Sequence, residues 1–69
     1  AIPLLIKAAD AGSDDAAFLL GRCHEQGLGV RIDPLTALRW YGQAAEHDHG
    51  DAAQALGRVR ELVAKDWQP

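Results

Sequence analysis

The apolar residues of this chain recur in steps of three and four. That is the period of an amphipathic helix, where a strand would alternate in steps of two. Leu4, Leu5 and the Ala8-Ala9 pair form a first stripe, which Gly12 ends. Ser13 is placed to cap a second helix, with Asp14 and Asp15 in its first turn, where the helix dipole favours anions. Ala16, Ala17, Leu20, Gly21 and His24 follow at helical spacing until Gly27 stops the segment. Asp33 is a good N-cap, and Pro34 suits the first helical position, where its missing N–H costs nothing. The third helix then carries Ala37, Leu38, Tyr41, Ala44 and Ala45. A fourth runs from about Gly50 to Lys65 through Ala52, Ala53, Leu56, Val59, Leu62 and Val63. No segment reads as a strand, so the pattern predicts an all-α chain of about four helices.

The chain also matches itself when displaced by 36 residues. "AADAGSDDAAFLLGRCHE" (8–25) lies over "AAEHDHGDAAQALGRVRE" (44–61), with identities that include Ala16/Ala52, Ala17/Ala53, Leu20/Leu56, Gly21/Gly57, Arg22/Arg58 and Glu25/Glu61. A period of this size is that of the helix–turn–helix unit of an α-solenoid. Gly21 and Gly57 fall mid-helix, at a cost of about 1 kcal/mol each relative to Ala. The expectation is that a neighbouring helix comes close to the backbone at both, helped by the small Ala pairs. Trp40 and Tyr41 are expected to supply bulk while their polar tips stay wet at the edge of the stack.

These residues resemble the SEL-like (Sel-one-like) repeat, an α/α relative of the tetratricopeptide repeat. The resemblance rests on Ala16, Leu20-Gly21, Gly27-Leu28-Gly29-Val30, Asp33, Ala37, Trp40-Tyr41 and Ala44-Ala45, with Leu56-Gly57 opening the next unit. There are departures. His24 stands where the pattern has tyrosine, with Arg60 at the equivalent place, and Thr36 and Gln43 replace two lysines. Val63, Lys65 and Asp66 stand where a second glycine turn would fall, so the last helix is expected to run on and the array to stop. The resemblance implies one repeat domain over 1–69. It divides into a trailing helix of a preceding unit (1–12), a full repeat (13–48) and a C-terminal capping helix (49–69) ending in the tail Asp66-Trp67-Gln68-Pro69.

Composition narrows the function classes. The chain has 69 residues, small enough that a stable core is hard to build without staples. Cys23 is the single cysteine, so no disulfide and no Cys-x-x-Cys site can form within the chain. That fits a reducing cytoplasm best, with the periplasm as the alternative. The formal charge is −3 with both signs interspersed, and no basic stripe exists to draw nucleic acid. Ile2-Pro3-Leu4-Leu5-Ile6 is far shorter than a membrane span and lacks the flanks of a signal peptide. The chain begins with Ala1, which reads as a processed chain or a piece of a longer one.

Four places could carry chemistry. Gly27-x-Gly29 before a helix could cradle phosphate, but the third glycine of a dinucleotide fingerprint is Ile32 here, and no Gly-Lys-Ser/Thr follows. The plainer reading is a turn. "HDHGD" (47–51) could hold a divalent metal between His47 and His49, but spacing fixes no third ligand, and the plainer reading is a solvated turn. Cys23 and His24 are adjacent and point about 100° apart on a helix, so they cannot act as a nucleophile–base pair within it. Cys23 is expected to pack as a small apolar residue and His24 as a hydrogen-bonded packing residue. No catalytic residue, cofactor or metal is therefore expected.

The fourth place is a helix face. Asp15, Phe18, Leu19, Arg22, Glu25 and Gln26 share one side of the second helix, and Asp51, Gln54, Ala55, Arg58 and Glu61 hold the equivalent positions one unit on. The resemblance implies that this face lines a concave groove holding a partner protein or peptide; a solvated face with Glu–Arg pairs is the competing reading. The function implied is a protein–protein interaction scaffold or adaptor in a bacterial assembly. The alternative is an accessory or regulatory repeat domain of a larger bacterial enzyme or secretion or envelope assembly. A small hydrolase is a third reading, which the lone cysteine argues against. Ile2, Leu5 and Ile6 are expected to face a missing neighbour, either a preceding repeat of a longer parent or a second copy with which the chain would form a homodimer or swap helices.

Overall fold

Helices α1 (Ile2–Asp10), α2 (Asp14–Gln26), α3 (Pro34–Ala45) and α4 (Gly50–Lys65) follow one another in the computed structural model, which describes residues 2–65. No strand occurs among the described residues. The tail expected at Asp66-Trp67-Gln68-Pro69 lies outside them.

Local chemistry sets each boundary. The Ala16 N–H donates to Ser13 Oγ at 3.2 Å, satisfying a donor that the first turn of α2 leaves open. Gly27 ends α2 in the left-handed region, at φ 74°, where a Cβ would be strained. Asp33 caps α3 twice over: Oδ1 accepts from the Thr36 N–H at 3.3 Å, and Oδ2 from the Thr36 hydroxyl at 2.7 Å. These bonds, the hydroxyl's first, hold the Asp33 carboxyl below the usual carboxylate range. His49 caps α4, its Nδ1 accepting from the Ala52 N–H at 3.1 Å. By the 36-residue period His49 stands where Ser13 stands, so one cap position is filled by two different side chains.

Short connections make consecutive helices antiparallel neighbours. Each packs mainly on the next in sequence, while α2 and α4 touch only lightly. The result is a slab of 33 × 26 × 13 Å. Its core is three large buried side chains, Leu20, Tyr41 and Val59, set among alanines from all four helices. The alanines let the helices nest closely, and Gly21 carries this furthest: a Cβ there would lie 2.5 Å from the Tyr41 ring. The close approach expected at Gly21 is therefore real.

At Gly57 it is not. Nothing lies within 4 Å of where its Cβ would be, because no helix covers that side of α4 among the described residues. The same open side leaves Ala53 exposed, while Ala55 takes part in the core; Leu62, about 180° round the helix from Ala53, is exposed nearer the end of α4. In α1 the inward stripe is Ile2, Leu5 and Ala8-Ala9, and Leu4 points away, 73% exposed. Leu4 sits about 200° around the helix from Ile2, so both cannot face α2. Ile2 and Leu5 are half-buried, and only Ile6 of the three residues expected on an open face is exposed. Tyr41 is wholly buried, its tip bonded inside the fold, whereas Trp40 is half-buried.

Candidate functional site: a groove between the second and fourth helices

A groove of about 410 Å³ opens between α2 and α4. Phe18, Arg22 and Gln26 form one wall, Asp51, Gln54, Ala55 and Arg58 the other, and Tyr41 of α3 lies between them. The walls come from equivalent faces of the repeat: Arg22 and Arg58, like Asp15 and Asp51, are 36 residues apart.

A hydrogen-bonded triad stiffens this base. The Tyr41 hydroxyl donates to Glu25 Oε1 at 2.6 Å, and Arg58 Nη2 donates to the same oxygen at 2.9 Å. Burial first, and then the Glu25 carboxylate, push the Tyr41 hydroxyl above its ordinary pKa of 10.0. The tyrosine stays a donor across the whole neutral range. Above the triad, the Phe18 ring stacks on His49 at 4.9 Å and tilts against Tyr41 at 5.7 Å. The Arg22 guanidinium stands 6.0 Å over the Phe18 ring and makes no ion pair among the described residues. The groove therefore offers an aromatic face, an available cation and two primary amides, Gln26 and Gln54, on a base already satisfied.

The Gly27–Gly29 turn lies at the end of α2. The N–H groups of Gly27 and Leu28 both donate to Cys23 O, at 2.8 and 2.9 Å, and the Asp33 N–H donates to His24 O at 2.8 Å. These donors are spent on closing the helix. The Asp33 carboxylate also occupies the start of α3, where an anion would have to sit. The glycines, at φ 74° and 77°, reverse the chain.

A family model for the Sel1 repeat matches residues 1–13 and 14–49. The chain belongs to the Sel1 repeat family. Sel1 repeats are helical repeats of the protein–protein interaction type and generally non-catalytic. No solved structure matches the chain.

In this Sel1 chain the residues singled out from sequence divide into three groups. Phe18, Arg22, Gln26, Asp51, Gln54 and Arg58 line the groove. Asp15 stands at its mouth, bonded to His49 Nε2 at 3.0 Å, and Glu25 is turned down into the triad. Leu19 and Glu61 do not line it. Leu19 is one residue, about 100°, round the helix from Phe18 and is exposed. Arg58 is held by Glu25, a Glu–Arg pair of the kind the competing reading of this face expected. Tyr41 is the wall residue that sequence reasoning placed elsewhere; its signal was Gly21, a mid-helix glycine that needed a bulky partner.

The "HDHGD" turn is fixed to α2. His47 Nδ1 pairs with Asp14 Oδ1 at 2.7 Å, and His49 Nε2 with Asp15 Oδ1 at 3.0 Å. Since His49 Nδ1 accepts from a backbone N–H, its ring proton lies on Nε2 and points to Asp15. Each imidazole thus has its own aspartate. No group of three or more His, Cys, Asp or Glu comes together among the described residues. His24 differs from expectation in having a buried Nδ1 without a hydrogen-bond partner among the described residues, and Cys23 is half-buried beside it. A second depression, lined by Thr36, Arg39, Trp40 and Gln43, lies on the other face of α3. No described helix is long and apolar enough to cross a membrane.

Proposed function

We propose that this Sel1 chain is an interaction module, a scaffold or adaptor, whose α2–α4 groove receives an extended segment of a partner protein. The observation that carries this reading is the pairing of Phe18 with an Arg22 that makes no ion pair among the described residues, above a base whose polar groups are bonded to one another. An apolar partner side chain would lie against Phe18, and a neighbouring carboxylate would reach Arg22. Gln26 and Gln54, on opposite walls, suit the amides of an extended backbone. The groove thus favours a segment in which an aliphatic or aromatic residue adjoins an Asp or Glu.

The test is a displayed library of random dodecapeptides selected on the wild-type chain, followed by calorimetric titration of the selected peptides. The expected motif is apolar-acidic, and Phe18→Ala and Arg22→Glu should each weaken binding by about tenfold or more, as truncated anchors do. Helicity should not change, since Arg22 is exposed and Phe18 half-buried. Peptides that bind both variants as well as wild type would place the site elsewhere. Arg58 is a poorer probe, because a glutamate there would face Glu25 and disturb the triad.

A further inference from the structure

Among the described residues, three charged side chains line the groove: Arg22 on α2, and Asp51 and Arg58 on α4. Arg58 is held by Glu25, whereas Arg22 and Asp51 make no ion pair among the described residues. These two unpaired charges have opposite signs and stand at opposite ends. Both α2 and α4 pack antiparallel to α3, so they run in the same direction as each other. By the 36-residue period Asp51 stands level with Asp15. Arg22 follows Asp15 by seven residues, nearly two helical turns or about 10 Å along the groove. Phe18 falls between them, one turn in from Asp15. Along its length the groove therefore presents carboxylate, aromatic ring and guanidinium, in that order.

We infer that the groove selects a segment of mixed charge. A lysine or arginine of the partner meets Asp51, an aspartate or glutamate meets Arg22, and an apolar residue between them lies against Phe18. This rests on the groove being the binding site, and adds to it the sign and order of the partner's charges. An extended chain rises about 3.3 Å per residue, so three to four residues span the two charges. The Tyr41 hydroxyl, Glu25 and Arg58 are bonded to one another, which leaves Arg22 and Asp51 to read charge. A wholly acidic segment would set a carboxylate against Asp51, with Asp15 at the same mouth, and a wholly basic one would set a cation against Arg22. Such like-charge contacts reject wrong partners, which is how exposed charges at a binding site serve specificity.

Double-mutant cycles between chain and peptide test it, read by fluorescence anisotropy. The probes are end-blocked dodecapeptides with Lys-Ser-Leu-Glu, or the reverse order Glu-Leu-Ser-Lys, centred in a Gly-Ser background. The tighter of the two is compared with forms that carry glutamine in place of its lysine or its glutamate. Each is titrated with wild type, Asp51→Asn, Arg22→Gln and Phe18→Ala; Asp51 and Arg22 are exposed, and circular dichroism checks that helicity is kept. Removing the lysine should weaken binding about two- to fivefold on wild type and on Arg22→Gln, but not on Asp51→Asn. Removing the glutamate should do the same on wild type and on Asp51→Asn, but not on Arg22→Gln. Failure of both peptides to bind overturns the inference, as does a lysine effect that persists on Asp51→Asn. A lysine-free peptide that binds wild type as tightly as the mixed one also overturns it, whatever becomes of the variants. If Phe18→Ala weakens every peptide while neither charge couples to its partner, the groove remains the site and the charge order falls. If Phe18→Ala weakens none, both fall.

Discussion

At the residue scale, two glycines of equivalent register have opposite surroundings. Gly21 is covered by the Tyr41 ring, and Gly57 is open. Replacing either with alanine gains about 1 kcal/mol of helix propensity. At Gly21 the new Cβ meets a fully buried ring whose hydroxyl is tied to Glu25, an overpacking cost of about 1–3 kcal/mol. Urea denaturation at concentrations where the chain is monomeric should therefore show Gly57→Ala more stable than wild type and Gly21→Ala less stable. Equal shifts in one direction would mean that the Tyr41 contact is not where the structure puts it. Tyr41 itself gives a pH signature. Its hydroxyl is held above 10.0, so its contribution is complete below that value. Above it, the unfolded chain's tyrosine ionises while the folded one stays protonated, and stability falls as pH rises. Wild type should lose stability between pH 9 and 11 more steeply than Tyr41→Phe does. The folded chain's tyrosinate absorbance should lag the unfolded chain's, unambiguously, since Tyr41 is the only tyrosine. The sequence showed that Gly21 needed a close neighbour but not which residue supplied it. A buried hydroxyl needs a partner, and Glu25 is supplied by a helix turn 16 residues away.

At the element scale the sequence was most legible, because a helix end is set by a few adjacent residues. Ser13, Gly27, Asp33 and Pro34 each act where the pattern put them. The start of α4 was less legible. His49 is an unusual N-cap, and its role appears only when the period sets it over Ser13. Its ring caps α4 with Nδ1, meets Asp15 with Nε2 and stacks on Phe18, so one side chain ties the last helix to the second. His49→Ala should lose all three interactions. His49→Ser should recover the cap alone, which is worth about 1 kcal/mol. Stability in the order wild type, His49→Ser, His49→Ala supports this division, and an Ala variant as stable as the Ser variant would remove the cap from it. The helix faces were read less well than their ends. A period marks which residues are apolar, but whether a neighbour exists to cover them depends on the order of packing. That is why Leu4, Ala53 and Leu62, all on the apolar pattern, are exposed.

At the scale of the whole molecule, the all-α repeat architecture follows from the period, and the groove follows from the architecture. Stacking two copies of one helix hairpin brings the equivalent faces of α2 and α4 together over α3, so seven of the eleven residues placed on this face from sequence line one groove. The remaining four sit elsewhere for reasons of rotation and pairing that the period alone does not resolve. Leu19 turns past the wall, Glu25 turns down to Tyr41, Asp15 is bonded to His49 at the mouth, and Glu61 lies beyond the lining. The claim on which the functional reading depends is that a partner segment lies along Phe18 and Arg22. Nuclear magnetic resonance of the isotopically labelled chain, titrated with an apolar-acidic peptide from the selection, tests it most directly. Amide and side-chain signals of Phe18, Arg22, Gln26, Gln54 and Arg58 should shift together, while those of Thr36, Arg39, Trp40 and Gln43 stay fixed. Shifts centred on Thr36 to Gln43, with the groove signals unmoved, would contradict it.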